Sequence, residues 1–368
     1  MNNNYSKDAD GLRPDPAVLL EDDSTINIHL LKNLVGNSIL SADQFNKELV
    51  CEICKLAALI ELNEMSVFDP LKGKIIITAF FEPSTRTRLS FESAVLRLDG
   101  SVISIAEGTK NTGVAKGESL SDIGEMMNAY ADAVVMRHTE TDAIYEILEN
   151  LRIPLINAGN GSKEHPTQAL ADWFAILKWK PELMNRPQSD DDKIHLGILG
   201  SPGSMRAVHS FLKLSLLFNE NIKELTLISE LANPLGEELE AALEQSGIPY
   251  TITNDINTKV HELDVIYMNS IAFLGDEYKS LDSSFRLDKK SNLKEDAVIL
   301  HPLARLDELD PSLDATDHNL YFSQAHGAVF IRQALFISVL DRFHKLPIHE
   351  PNKKKVDINI NDFKKQTI

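Results

Sequence analysis

The sequence predicts an α/β protein made of two doubly wound α/β domains with mainly parallel sheets, joined by inter-domain helices. Three observations carry that prediction. Strand-like and helix-like runs alternate along the chain between two polar ends. The plan of the first half is repeated in the second. With 368 residues and 43% hydrophobic content, the chain is long enough to bury two separate cores.

The elements follow in order. Residues 1–23 are polar and acid-rich without usable periodicity, and are expected to form a mobile N-terminal extension. A helical pattern over Phe45 to Leu62 contains the only cysteines, Cys51 and Cys54. A redox C-x-x-C sits at a helix N-terminus after a strand, and a zinc site needs a second ligand pair. Neither condition is met, so the two are read as small buried helix residues. Candidate strands of the first half are Lys74–Phe80, Ser101–Ile105, Ala133–Arg137 and Pro154–Asn157, with helices over Ser84–Leu98, Ser119–Tyr130 and Thr141–Leu148. A helical run from His165 to Lys178 joins the halves.

Second-half strands are expected at Ile194–Leu199, Glu224–Ser229, Tyr250–Thr253, Val265–Met268 and Ala297–Leu300. Their helices are Ser204–Leu217, Leu235–Gln245 and Asn257–Leu263, and a run from Ala328 to Phe343 closes the fold. The polar stretch Pro187–Asp192 and Gly203 punctuate the pattern. The expected division is therefore 24–164, completed by a C-terminal helix at 324–345, and 165–323, the two facing a shared cleft. Residues 346–368 read as a tail whose lysines, Lys353 to Lys355 with Lys364 and Lys365, form a solvated charge run.

The formal net charge of −18 argues against nucleic acid or an anionic membrane as partner. It also requires that any anionic substrate be drawn in by local positive charge. No apolar run is long enough to span a bilayer, and the N-terminus lacks a signal-peptide core, so a soluble, cytoplasmic chain is expected.

Local positive charge is concentrated in Phe80-Phe81-Glu82-Pro83-Ser84-Thr85-Arg86-Thr87-Arg88. A strand ends there in a turn that opens an amphipathic helix, whose free N–H groups and dipole favour an anion. Ser84, Thr85 and Thr87 add hydroxyl donors, and Arg86 adds a planar fork suited to a phosphate dianion. Further polar clusters fall at strand ends, where doubly wound sheets bind ligands. They are Arg137-His138, Gly159-Asn160-Gly161-Ser162 leading to His165-Pro166-Thr167-Gln168, Gly200 to Arg206, and His301-Pro302-Leu303-Ala304-Arg305.

Together with Lys116-Gly117-Glu118-Ser119-Leu120 and Val135-Met136-Arg137-His138, these motifs make the chain resemble the aspartate/ornithine carbamoyltransferase family from about Leu30 to Asp341. The His-Pro-Leu form is similar to catalytic chains of the aspartate branch, where ornithine enzymes carry a cysteine. The resemblance implies that 24–164 binds carbamoyl phosphate and 165–323 the amino-acid acceptor. It assigns Ser84, Thr85, Arg86 and Thr87 to the phosphate. Arg137, His165 and Thr87 would polarise the carbonyl oxygen and form the catalytic set. Gln168 and the Leu303 carbonyl would hold the carbamoyl amide. Lys116 would reach a neighbouring subunit's site, implying a homotrimer, and Thr112 replaces a family serine four residues earlier while keeping the hydroxyl. No metal or organic cofactor is implied, since phosphate is already a good leaving group. A separate regulatory chain is a possible partner.

The acceptor side departs from the family pattern. Arg206 matches the arginine that binds a carboxylate of aspartate, followed by Ala207 where threonine is usual. Where the aspartate branch has Arg-x-Gln, this chain has Ser270-Ile271-Ala272, and Ala304 replaces a proline. Losing one charge-assisted contact costs roughly 1.5–3 kcal/mol, unless Lys279, Arg286 or Lys289 substitutes. The expected reaction is carbamoyl transfer from carbamoyl phosphate to aspartate, as in pyrimidine synthesis. The alternatives are a different amine acceptor, suited to Ser270 and Ala272, and a non-catalytic structural or regulatory paralogue. Nucleotide binding by Gly200-Ser201-Pro202-Gly203-Ser204 is disfavoured, because the turn lacks both G-x-G-x-x-G spacing and a P-loop lysine.

Overall fold

In a computed structural model, the described residues are 11–21, 25–63, 69–106, 117–270, 273–274, 277–278 and 283–346. They divide into two compact units. The first comprises Pro16–Leu170 with Gly327–Ile368, and the second Met1–Asp15 with Ala171–His326. The chain passes between units at Asp15–Pro16 and again inside two helices, Pro166–Trp179 and Tyr321–Val339.

The first unit holds four parallel strands: β1 (Ile75–Phe80), β2 (Ser101–Ile105), β3 (Ala133–His138) and β4 (Leu155–Asn160). Their spatial order is β2-β1-β3-β4. Near-continuous apolar runs in β1 and β3 are what a sheet covered on both faces requires, and both strands are buried along almost their whole length. Edge strand β2 is instead largely open to solvent. Ile77, Ala79, Val134, Met136 and Leu155 pack against Met127 and Ile147 of the helices Leu120–Tyr130 and Ala143–Leu148.

These two helices touch at Gly124, where an added Cβ would stand 2.5 Å from the Ile147 carbonyl oxygen. Gly124→Ala should therefore lower the urea midpoint, although helix propensity alone predicts a gain of about 1 kcal/mol. A raised midpoint would mean that the helices separate at little cost.

Part of the stretch expected to be a mobile extension is built into this unit. Pro16–Leu20 forms a 3-10 turn against the helix Lys47–Leu62, with Leu19 and Leu20 buried. Cys51 and Cys54 lie buried in that same helix, and burial pushes the Cys51 thiol up to about 12, which fits inert packing residues.

The second unit contains β5 (Ile194–Leu199), β6 (Ile222–Ile228), β7 (Tyr250–Thr253) and β8 (Val265–Met268). A short antiparallel pair, β9 (Phe273–Leu274) and β10 (Glu277–Tyr278), precedes β11 (Val298–Leu300). The main sheet is parallel in the order β11-β8-β5-β6-β7. Leu199, Ile228, Ile266, Met268 and Ile299 form its core with Leu309 and Tyr321.

The helix expected over Asn257–Leu263 is two 3-10 turns, Ile256–Thr258 and Val260–Glu262. Asp255 caps the first, and the Thr258 hydroxyl donates to the Asp255 carbonyl, so local polar bonds displace a continuous helix. The closing helix begins at Tyr321 rather than Ala328, where Asn319 Oδ1 accepts the Phe322 N–H. Among the described residues no helix is long and apolar enough to cross a membrane.

Candidate active site

Both sheets reverse their strand order once. In the first unit the chain runs from β1 outward to β2, then returns to the other side of β1 as β3. In the second it runs β5-β6-β7, then returns to the other side of β5 as β8. Each reversal opens a crevice beyond the carboxyl ends of the two central strands. The Ser84–Arg88 turn and Arg137-His138 lie at the ends of β1 and β3, and Gly200 to Arg206 follow β5, whereas the clusters at Gly159–Gln168 and His301–Arg305 follow the edge strands β4 and β11.

At the first crevice, β1 leads into Glu82–Ser84 and the helix Thr85–Arg97. Ser84 is extended at the N-cap and its hydroxyl makes no capping bond. The helix therefore presents its first N–H groups alongside the hydroxyls of Ser84, Thr85 and Thr87. Arg86 is exposed and engaged by no carboxylate among the described residues, and partial burial alone pulls its guanidinium below the ordinary value. A dianion placed there would relieve that penalty.

Register places Arg137 beside this turn. Phe80 is the partner of Arg137 across β1 and β3, and Phe81 N–H donates to the Arg137 carbonyl at 2.9 Å. The largely buried guanidinium donates to Glu82 Oε1 at 2.9 Å. Glu82 stands in the motif quoted from the sequence but had no role assigned there, and its only signal was its place two residues after the strand. Next to Arg137, burial pushes the His138 imidazole down, and its Nδ1 accepts the Glu140 N–H at 2.9 Å, as a neutral ring does.

Strand β4 pairs with β3 and carries the next group. Asn157 donates to the Leu40 carbonyl and to Asn160 Oδ1, and Asn160 donates to the Thr141 carbonyl. Gly161 adopts φ +50, with the Thr141 hydroxyl 2.3 Å from where a Cβ would sit, so the turn requires glycine. This amide network, which sequence reading missed, fixes the turn that delivers His165. The N–H groups of Gln168 and Ala169 donate to the His165 carbonyl at 3.0 and 3.3 Å, and both His165 and Gln168 are buried. Ser84 to Thr87, Arg137, His165 and Gln168 thus lie at or beyond the carboxyl ends of three neighbouring parallel strands, β1, β3 and β4. Thr112 and Lys116 lie outside the described residues.

At the second crevice, Gly200 to Met205 follow β5, and Asn269-Ser270 follow β8. Gly203 donates to the Pro234 carbonyl, and a Cβ there would stand 2.7 Å from the Leu235 oxygen. Ser201 and Ser229 hydroxyls are bonded at 2.9 Å. The turn so held places half-buried Arg206 at the first position of the helix Arg206–Leu216, beside Ala207. Met205 Sδ lies 3.6 Å from Asn269 Nδ2, linking the two loops. Ser270 Oγ is buried and has no hydrogen-bond partner among the described residues. Arg286 and Lys289 are exposed, whereas Ala272 and Lys279 lie outside the described residues.

Beyond β11, Leu303 is half-buried with φ 57 and precedes exposed Ala304 through a cis peptide bond. Arg305 forks onto Asp314, with one bond at 2.7 Å, and Tyr321 also donates to Asp314.

Residues 37–178 match the family described as aspartate/ornithine carbamoyltransferase, carbamoyl-P binding domain. Residues 192–339 match its Asp/Orn binding domain. The chain belongs to the aspartate/ornithine carbamoyltransferase family. Within it, the chain is 37% identical over 313 residues to an aspartate carbamoyltransferase catalytic subunit of Pyrobaculum calidifontis, covering 83% of this chain and 98% of the relative. The corresponding subunit of Thermococcus onnurineus is 38% identical over 308 residues, covering 82% and 96%. Aspartate transcarbamoylase from Trypanosoma cruzi in complex with carbamoyl aspartate and phosphate superposes with a TM-score of 0.74 at 31% identity, covering 84% of this chain and 98% of that one. Its complex with carbamoyl phosphate gives 0.73 at 32% identity, covering 84% and 97%. The carbamoyltransferase fold of two parallel-sheet α/β domains is thus the one the sequence predicted.

Proposed function

We propose that this chain is an aspartate carbamoyltransferase, moving the carbamoyl group of carbamoyl phosphate to the amine of L-aspartate. The observation that carries the proposal is the Ser84–Thr87 turn at the reversal of the first sheet, with Arg137 held beside it by Glu82. Helix N–H groups, hydroxyls and the Arg86 guanidinium suit a phosphate dianion, against a net charge of −18 that otherwise repels it.

The amine nitrogen attacks the carbonyl carbon, and negative charge grows on the carbonyl oxygen. Thr87, Arg137 and His165 are proposed to face that oxygen, where one fixed donor is typically worth ~3 kcal/mol. The C–N bond forms, the bond from the carbonyl carbon to the phosphate oxygen breaks, and the leaving phosphate takes the amine proton. Gln168 and the Leu303 carbonyl hold the carbamoyl amide, which rejects substrates lacking that group. The products are N-carbamoyl-L-aspartate and phosphate, a step of pyrimidine synthesis in the cytoplasm.

Arg206 takes one carboxylate of aspartate. The Ser270 hydroxyl, without a hydrogen-bond partner among the described residues, supplies a neutral donor where the family pattern has a cation, and by that pattern Ala272 and Ala304 belong to the acceptor side. A different amine acceptor gains no support, since the relatives above are named for aspartate; nor does a non-catalytic paralogue. By the family pattern Thr112 and Lys116 act on carbamoyl phosphate, Lys116 in a neighbouring subunit of a homotrimer, and a regulatory chain binds separately if present.

Purified protein given carbamoyl phosphate and aspartate should release phosphate and N-carbamoyl-aspartate in equal amounts, from particles with the mass of three chains by light scattering. The neutral contact at Ser270 should show as an aspartate KM raised about tenfold or more over a relative with the Arg-x-Gln pattern. Phosphate release without the carbamoylated product, or product only with another amine, would overturn the acceptor assignment.

A further inference from the structure

His301 and Glu308 follow β11 and are both fully enclosed, with side chains 0% exposed. Their bonds decide the state of the ring. His301 Nδ1 accepts the Leu303 N–H at 2.8 Å, so that nitrogen carries a lone pair rather than a proton. The ring proton then sits on Nε2, which donates to Glu308 Oε1 at 2.9 Å. The same carboxylate oxygen accepts the Leu306 N–H at 2.7 Å. One carboxylate therefore grips the turn at two points, through the imidazole at Leu303 and directly at Leu306. The His301 N–H is itself anchored on Gln324 Oε1 at 2.8 Å, and Gln324 donates to Asp172.

Stability alone does not account for this arrangement. Glu308 Oε2 is buried with no hydrogen bond among the described residues. Enclosing a carboxylate with one oxygen unsatisfied is unfavourable, whereas an apolar side chain of similar size would fill the space without that penalty. Burial on its own would push the Glu308 carboxyl up. The bonds from His301 and from backbone N–H groups outweigh that and hold it below its usual range, so the ion persists in the interior. Its one bonded oxygen ties the Leu306 N–H directly, and the Leu303 N–H through His301, to a single point.

We infer that His301 and Glu308 are positioning residues that aim the Leu303 carbonyl, and so set the affinity for the carbamoyl half of the substrate without touching it. The inference rests on the proposed role of the Leu303 carbonyl as acceptor of the carbamoyl amide. It requires that the pair act on carbamoyl phosphate while leaving inorganic phosphate alone, because phosphate is assigned to Ser84–Thr87 in the other unit.

Calorimetric titration of the full chain with carbamoyl phosphate, and separately with inorganic phosphate, tests this. Glu308→Ala should weaken carbamoyl phosphate about tenfold or more and leave phosphate within about twofold. Glu308→Gln, whose amide oxygen accepts both N–H bonds, should restore most of the affinity. If Glu308→Ala does not fold, His301→Leu removes the acceptor of the Leu303 N–H at similar volume and is read in the same way. Equal losses for both ligands, or unchanged carbamoyl phosphate binding, overturn the positioning role. Wild-type protein that binds phosphate but shows no preference for carbamoyl phosphate would instead remove the functional proposal, so the two failures are distinguishable.

Discussion

Arg86→Ala is expected to weaken carbamoyl phosphate and inorganic phosphate alike by roughly a hundredfold or more. Two charge-assisted bonds from one guanidinium to a dianion, at about 1.5–3 kcal/mol each, amount to at least ~3 kcal/mol. The thermal midpoint should not move, because Arg86 is exposed and no hydrogen bond or ion pair among the described residues depends on it. The variant thus separates binding from folding. Calorimetry with each ligand supplies the measurement, and a dissociation constant within threefold of wild type would remove Arg86 from the phosphate site.

Arg137→Ala should act on the rate instead. If the guanidinium faces the carbonyl oxygen as charge develops, its loss lowers kcat by about 10²–10³. Inorganic phosphate should bind nearly as before, since Ser84 to Thr87 remain. Some loss of stability is also expected, because Glu82 is left without the guanidinium it accepts from at 2.9 Å. Glu82→Gln keeps an acceptor for Arg137 and should retain more activity than Arg137→Ala. Steady-state kinetics at saturating substrates decide the matter: a kcat within threefold of wild type sinks the assignment, whereas a selective rise in KM would move Arg137 from catalysis to binding.

Much of the first site was legible because its signals are local. A buried strand followed at once by hydroxyls and arginines predicts a helix start with free N–H groups wherever that strand lies in the sheet, as found at Thr85. The same holds for the Gly159 to Gln168 run, whose turn residues and helix start are contiguous. What was not legible were groups whose partners come from elsewhere. Glu82 gains its role from Arg137, 55 residues away, and Asn157 from Leu40, 117 residues away. Gln324 meets Asp172 across 152 residues. Leu19 and Leu20 sit in a polar stretch that pattern reading discards, and only the helix Lys47–Leu62 makes them core.

By itself the sequence determined the α/β class, the approximate strands, and which residues end at the carboxyl edge of each strand, because hydrophobic period and turn chemistry act over a few residues. Tertiary structure alone decided the strand orders β2-β1-β3-β4 and β11-β8-β5-β6-β7, and with them which strand ends adjoin. It also decided that Glu82 accepts from Arg137, and that Glu308 meets His301, whose other ring nitrogen accepts the Leu303 N–H. Strand adjacency and buried polar pairing are set by long-range packing: every interior donor and acceptor must find its partner in space, at a distance along the chain that no local pattern records.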